Sequence, residues 1–334
     1  MTTARGSWIG AYALICRPEY LRGVSPAIFI PFFLCGRTWS DGLRTPALES
    51  MLVVLLMFAT GNGINAIADR NADAISASKR RIADAVARLG VPLARTLMLL
   101  HVLAAIALLG HMSWQLHSRI PLRLGAIAFF WGWGYSSPPL RFKVRGTFWH
   151  AVALIVSCGL APLGLLAYAY AGIPTWATAT FFLGFAIAHY GFELASQAVD
   201  FLADRAAGLR TPAVRMGLTR CLAAALIVPV AGLVLEGAGL YGRMMERGLA
   251  QPARGWSAAG LPLFAAMVAL LLLGRAVPLR GIWNMYRLSR REPAEICMPR
   301  LQQICRYARW QKISLLGAAL ATGLMFAAAN AAHP

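Results

Sequence analysis

Apolar residues run through this chain in blocks of about twenty, enough for an α-helix to cross the ~30 Å hydrocarbon core of a bilayer. They fall near 24–43, 47–68, 92–111, 121–138, 149–171, 177–199, 217–240, 258–275 and 313–331. The pattern predicts an all-α, polytopic membrane protein, one domain over 1–334 built as a bundle of nine transmembrane helices. Residues 1–23 mix Trp8, Tyr12 and Tyr20 with Arg17, Glu19 and Arg22, as an interfacial helix kinked at Pro18 would. Residues 276–312 read as a long basic cytoplasmic connection. No compact apolar run with a small-residue cleavage site opens the chain, so the first block is expected to act as its own insertion signal.

Two polar stripes interrupt the pattern. In Asn62-Gly-Ile-Asn-Ala-Ile-Ala-Asp-Arg-Asn-Ala-Asp73, the residues Asn65, Asp69 and Asp73 fall four apart and share one helix face. Two carboxylates so close repel unless a cation lies between them, and oxygen ligands of this kind suit Mg²⁺ held jointly with substrate phosphates. A helix end leaving the membrane with solvated acids reads equally well from this stretch alone. The second stripe places His189, Glu193, Gln197, Asp200 and Asp204 at intervals of four, four, three and four. At about 100° per residue they keep within roughly 90° of one another. Intramembrane ionisable residues cost at least ~2.5 kcal/mol each on insertion scales, and they line pathways or cavities.

Composition agrees with the membrane reading: 58% of the 334 residues are hydrophobic, 13% are charged, and the mean hydropathy is +0.59. The formal charge of +19 would suit nucleic acid, but its distribution argues otherwise. Three cations precede the first block; six lie between Arg70 and Arg95, three at Arg141–Arg145, four from Arg205 to Arg220 and nine from Arg275 to Lys312. Only seven of the 32 fall on the opposite side of a nine-span arrangement. The positive-inside bias therefore puts the N-terminus in the cytoplasm of a bacterial-type cytoplasmic membrane or its equivalent, and no nucleic acid is needed to explain the charge. The same surface attracts membrane lipids with anionic headgroups. Six cysteines without a CxxC pair read as small core residues.

Basic loops follow both stripes. Lys79, Arg80 and Arg81 come soon after Asp73, as phosphate ligands or as a positive-inside anchor, and Arg205, Arg210 and Arg215 follow Asp204. The layout hints at a duplication of 1–150 in 151–334. The fourth block holds Phe129, Phe130, Trp131, Trp133 and Tyr135, breaks at Ser136-Ser-Pro-Pro139, and continues into Arg141, Lys143 and Arg145. Its rings serve as interfacial anchors or as a wall that shelters a carbocation.

Taken in order, Asn65-x-x-x-Asp69-x-x-x-Asp73, Tyr135-Ser-Ser-Pro-Pro-Leu-Arg-Phe-Lys143-Val-Arg-Gly146 and Asp200-x-x-x-Asp204-Arg-Ala-Ala-Gly208-x-Arg210-Thr211 resemble the UbiA superfamily of intramembrane prenyltransferases, over about residues 17–220. The resemblance implies helices around a central, lipid-facing cavity that opens toward the cytoplasm. Asn65, Asp69, Asp73, Asp200 and Asp204 would hold Mg²⁺ on the diphosphate of an isoprenyl donor, with Tyr135, Arg80, Arg141, Lys143 and Arg210 engaging that diphosphate. The chain departs from the family's pattern at Ala66, where a further acid is common, and in the loop at 77–81, where only Arg80 matches; Glu193 and His189 lie outside the shared signature.

The expected activity is Mg²⁺-dependent transfer of a prenyl group to an aromatic or lipid-like acceptor. The alternatives are a membrane terpene cyclase of the same superfamily, a related phosphoribosyl or alcohol transfer, and a non-enzymatic scaffold or transporter. Glu193 lies about 16 Å along a helix before Asp204. That depth suits an acceptor or the distal isoprenoid chain better than a diphosphate. A carboxylate there is expected to be protonated or paired, with His189 as one candidate partner.

Overall fold

The computed structural model describes residues 7–18, 21–35, 39–75, 79–246 and 260–304, and among these all regular structure is helical. The elements are α1 (Trp8–Cys16), α2 (Leu21–Cys35), α3 (Thr45–Ile75), α4 (Arg80–Leu89), α5 (Val91–Gln115), α6 (Ile120–Ser136), α7 (Phe142–Arg145), α8 (Thr147–Leu154) and α9 (Ala161–Ala171). They continue with α10 (Trp176–Val199), α11 (Phe201–Ala206), α12 (Pro212–Met216), α13 (Leu218–Glu246), α14 (Gly260–Ser289) and α15 (Ala294–Ile304). A π-helical turn, Ile155–Leu160, joins α8 to α9 without a break. Among the described residues four helical stretches are long and apolar enough to cross a membrane: α3, α5, the α8–α9 rod and α13. The block at 313–331 lies outside the described residues, as does the C-terminal part of the basic connection.

Lipid is as apolar as leucine, so burying oil contributes little to helix association inside a membrane; close packing through small residues does. The α10–α13 seam shows this. A Cβ on Gly232 would stand 2.6 Å from the Ala188 nitrogen and the Gly184 carbonyl, and one on Gly184 would stand 2.5 Å from the Glu236 nitrogen. Any side chain at either position drives the two backbones apart. The π-helical turn seats on α10 in the same way, with Gly159 against Ala186.

On the cytoplasmic side, by the expected orientation, α4 is amphipathic and lays Ile82, Ala85, Val86 and Leu89 against Ala11 and Ile15 of α1 and Ala66 and Ile67 of α3. The side chain of Tyr12 meets His101 of α5, and Asn62 donates to the Cys16 carbonyl at 3.4 Å, so α1 is fastened along α3. A short helix, α1, stands within the segment expected to be interfacial. Its last residue is followed by Arg17 in a left-handed conformation, φ 55°, which turns the chain toward α2.

α14 runs unbroken past residue 275 to Ser289, and Arg275 sits inside it. Arg275, 2% exposed, is paired with Glu236 of α13, which is wholly buried, and its guanidinium lies 5.5 Å from the Phe192 ring centroid on α10. Neither residue carried a role in the sequence reading, and Arg275 had been counted with the cytoplasmic cations. Removing one partner of such a pair leaves an uncompensated buried charge, which costs about 3–5 kcal/mol, whereas replacing both by apolar residues of similar volume is often neutral or better. Glu236→Ala or Arg275→Ala alone is therefore expected to lower the unfolding midpoint sharply, and Glu236→Met with Arg275→Leu to recover most of the loss. Thermal unfolding of the purified variants in nanodiscs checks this. Equal losses in the single and double variants would remove the pairing account.

Candidate functional site

The second stripe does not remain one helix. α10 ends at Val199, Asp200 forms the joint at φ −91° and ψ 1°, and α11 carries Asp204. Asp204 stays one turn from Asp200 through its backbone nitrogen, which donates to the Asp200 carbonyl at 2.8 Å. The joint turns the two acids toward the end of α3, which brings Asp69 and Asp73 on its last turns. Asp73, 7% exposed, lies in the electrostatic field of Asp69, Asp200, Lys79 and Lys143 together.

Cations from two different loops enter this acidic cluster. Ser136-Ser-Pro-Pro139 cannot extend α6, because proline lacks the N–H and clashes with the preceding turn, so the chain folds back into the short α7. Phe142 packs its ring 4.9 Å from Trp131 and 5.8 Å from Trp149, and Gly134 leaves the room: a Cβ there would stand 2.7 Å from the Phe142 ring. Gly146, at φ 133°, takes a conformation L side chains rarely adopt and turns the chain into α8. These rings therefore anchor α7. With Phe142 fixed, Lys143 is buried to 5% exposure and its Nζ reaches the Asp69 carboxylate and, at 3.2 Å, the Asn65 Oδ1. The Ser136 hydroxyl donates to the same Asn65 oxygen at 2.7 Å.

The second cation is Lys79, immediately before α4, whose Nζ lies 2.6 Å from Asp200 Oδ2. Burial by itself would lower the Lys79 ammonium, but the Asp200 and Asp73 carboxylates outweigh it and hold it well above the ordinary lysine value. Burial pushes the Asp204 carboxyl up to about 6, while the Thr211 hydroxyl, donating at 2.9 Å, opposes that rise. Arg17 stands within electrostatic reach of Lys79 and Glu193.

Deeper in the bundle the site remains polar. Tyr135 is hydrogen-bonded to the buried His150 at 3.0 Å and shares the field of Glu193, Asp69 and Asp204. Glu193 is hydrogen-bonded to Gln197, one turn further along α10, and His189 stacks on Phe185. Two buried atoms here have no hydrogen-bond partner among the described residues, Gln197 Oε1 and His150 Nδ1, and the buried Arg141 Nε before α7 has none either. Arg141 itself takes a left-handed conformation, φ 39°, directly before α7.

The structure thus brings together Asn65, Asp69, Asp73, Asp200, Asp204, Tyr135, Glu193 and Lys143. Arg80 and Arg210 are both exposed, and the cation that reaches Asp200 is Lys79, the residue before Arg80. Ala66 is 2% exposed in the apolar seam between α1, α3 and α4, where a carboxylate would find no counterion. Ser136 is a partner the sequence did not single out, and Lys79 was named only together with Arg80 and Arg81, with no contact to Asp200 foreseen. Lys79 differed from Arg80 and Arg81 by no sequence signal; Ser136 was marked only by standing next to Tyr135.

The donor set of Asn65 and four aspartates is all oxygen, which fits a hard divalent cation. Among the described residues no three acids or histidines stand close enough to hold an ion by themselves; the lysine ammoniums lie on Asp69 and Asp200. Such a set can bind an anion that brings its own cation.

The family model of the UbiA prenyltransferase family matches residues 24–294. Among solved structures, a UbiA homolog from Archaeoglobus fulgidus bound to GPP and Mg²⁺ is 17% identical, with 91% of this chain and 99% of that chain covered at a TM-score of 0.57. A digeranylgeranylglyceryl phosphate synthase is 15% identical, with 94% and 99% covered at a TM-score of 0.58. These likenesses establish a shared fold. No curated protein sequence matches the chain.

The two loop cations make opposite expectations testable. Lys79→Met should reduce turnover with an isoprenyl diphosphate by at least about tenfold, since a charge-assisted contact in a partly dry site is lost. Arg80→Met should change it less than about threefold. Steady-state rates in nanodiscs decide the matter, and the reverse order would show that the lysine's place on Asp200 has no bearing on catalysis.

Proposed function

Because the chain belongs to the UbiA prenyltransferase family, we propose that it is an integral membrane enzyme that ionises an isoprenyl diphosphate and transfers the prenyl group to an aromatic or lipid-like acceptor, with its site open toward the cytoplasm. The observation that carries transfer over cyclisation is the polar interior beyond the acids. Glu193, Gln197, Tyr135 and His150 stand there, with buried polar atoms on Gln197 and His150 still unpartnered. Unpaired buried polar atoms are costly, and a polar acceptor group satisfies them. A cyclase needs an apolar, cation-sheltering wall at that depth. The rings of Trp131, Phe142 and Trp149 pack on one another and support α7.

In this reading the diphosphate enters between α3 and the α10–α11 joint. Asn65, Asp69, Asp73, Asp200 and Asp204 would hold Mg²⁺, which when bound neutralises the charge of the leaving diphosphate. Lys143 and Lys79 move their ammoniums from Asp69 and Asp200 onto diphosphate oxygens, and Arg141 supplies a further donor. The bond between C1 and oxygen breaks with its electron pair going to the diphosphate, which these cations stabilise as its charge develops. The acceptor's nucleophilic atom then bonds to C1 of the allylic cation, and the proton it releases passes to Glu193, aligned by Gln197. Ser136 keeps Asn65 oriented toward the cluster.

Incubating the purified protein with Mg²⁺ and C10, C15 and C20 diphosphates, with and without phenolic and polar-lipid acceptors, tests the proposal. Prenylated acceptor is expected, together with loss of activity in Asp69→Asn and Asp200→Asn by at least about a hundredfold, both variants remaining folded. Glu193→Gln should alter acceptor use more than donor affinity. A cyclic hydrocarbon made without acceptor would overturn transfer in favour of cyclisation, and full activity in both aspartate variants would displace the donor site.

A further inference from the structure

At the C-terminal end of α14 a groove of about 250 Å³ is lined by Asn284, Met285, Arg287, Leu288, Arg291 and Arg300. Asn284, Arg287 and Leu288 stand at i, i+3 and i+4 on one face of α14, Arg291 follows in the turn just past Ser289, and Arg300 arrives from α15. Among the described residues no carboxylate forms an ion pair with any of the three arginines, although Glu292 and Glu295 are close in sequence. Cations at a helix C-terminus are favoured by the helix dipole, and that alone would account for Arg287. It does not account for a second helix turning back to add a third guanidinium over a shared hollow. The rest of the groove is lined by Asn284 and by the apolar Met285 and Leu288.

The position of the groove relative to the bilayer narrows the choice of ligand. The apolar block of the sequence ends near residue 275 while α14 continues to Ser289, so by the expected topology its last turns lie at the membrane border. Trp283 and Tyr286, with ring centroids 5.7 Å apart, lie within a turn of Arg287, and Trp283 is half exposed, as rings at a membrane–water border are. Ile296 on α15 is also half exposed. A charged hollow with an apolar floor, flanked by interfacial rings, matches a phosphate group carried on acyl chains better than a fully soluble anion.

We propose that this groove between α14 and α15 is a binding site for the phosphate headgroup of an anionic phospholipid, held by Arg287, Arg291 and Arg300. The site is separate from the acidic cluster, and it holds whether or not prenyl transfer is the activity.

Native mass spectrometry of the delipidated protein, titrated with phosphatidylglycerol or phosphatidylcholine of identical acyl chains, tests the assignment. The wild type is expected to prefer phosphatidylglycerol by at least about tenfold, and Arg287→Gln/Arg291→Gln/Arg300→Gln to reduce that preference to within about threefold, whereas the triple lysine variant keeps it. Should the triple glutamine variant not fold, Arg291→Gln and Arg300→Gln are read singly, each expected to lose about fivefold. A preference that survives these changes, or that falls equally in the charge-matched control Arg88→Gln/Arg95→Gln/Arg220→Gln, overturns the site. Inorganic phosphate binding to the groove as tightly as phosphatidylglycerol would overturn the lipid and leave a site for a soluble anion.

Discussion

Carboxylates at the end of membrane-embedded helices need countercharge, and in this protein Lys143 and Lys79 provide it by lying on Asp69 and Asp200. Much else in the fold follows from that requirement. Lys143 reaches Asp69 because α6 is broken by Ser136-Ser-Pro-Pro139 and α7 is pinned by Phe142 between Trp131 and Trp149. Lys79 reaches Asp200 because α4 is glued to α1 and α3 by Ile82, Val86 and Leu89. The two cations therefore tie together helices far apart in sequence, and in the proposed function they exchange their carboxylate contacts for contacts to a diphosphate.

A second constraint acts on the other half of the bundle. With no oil–water difference between helices, α10 and α13 associate through Gly184, Gly191, Gly232 and Gly239, where backbone approaches backbone. This seam fixes α10, hence the position of Glu193 and of the joint at Asp200. The Glu236–Arg275 pair joins α13 to α14 across the same region. A polar pair there sets register as well as affinity, since each charge has one acceptable partner.

The helices were legible because membrane spanning imposes a length and a composition that few other folds share. Asn65, Asp69 and Asp73 were legible for a similar reason: helical spacing on a continuous helix determines a face. The stripe from His189 to Asp204 reads from its spacing as one rod, and the backbone at Asp200 breaks it, which spacing cannot reveal. Lys79 and Arg80 are adjacent and chemically alike, so only the packing of α4 decides which one faces Asp200. Glu236 and Arg275 lie 39 positions apart on two helices, and neither belongs to a periodic polar face; Arg275 also stood at the edge of an apolar block, where a cation reads as a membrane anchor. Ala66 read as a missing acid until the α1–α4 seam showed what its side chain touches.

The central claim is that the lysines now on Asp69 and Asp200 are the groups that receive the diphosphate. A structure solved with Mg²⁺ and a non-cleavable isoprenyl thiodiphosphate analogue measures this directly. The account predicts Lys143 Nζ and Lys79 Nζ within hydrogen-bond distance of diphosphate oxygens, and the oxygens of Asp69 and Asp200 turned to the metal. Both lysines remaining on their carboxylates, with the diphosphate bound elsewhere, would contradict it.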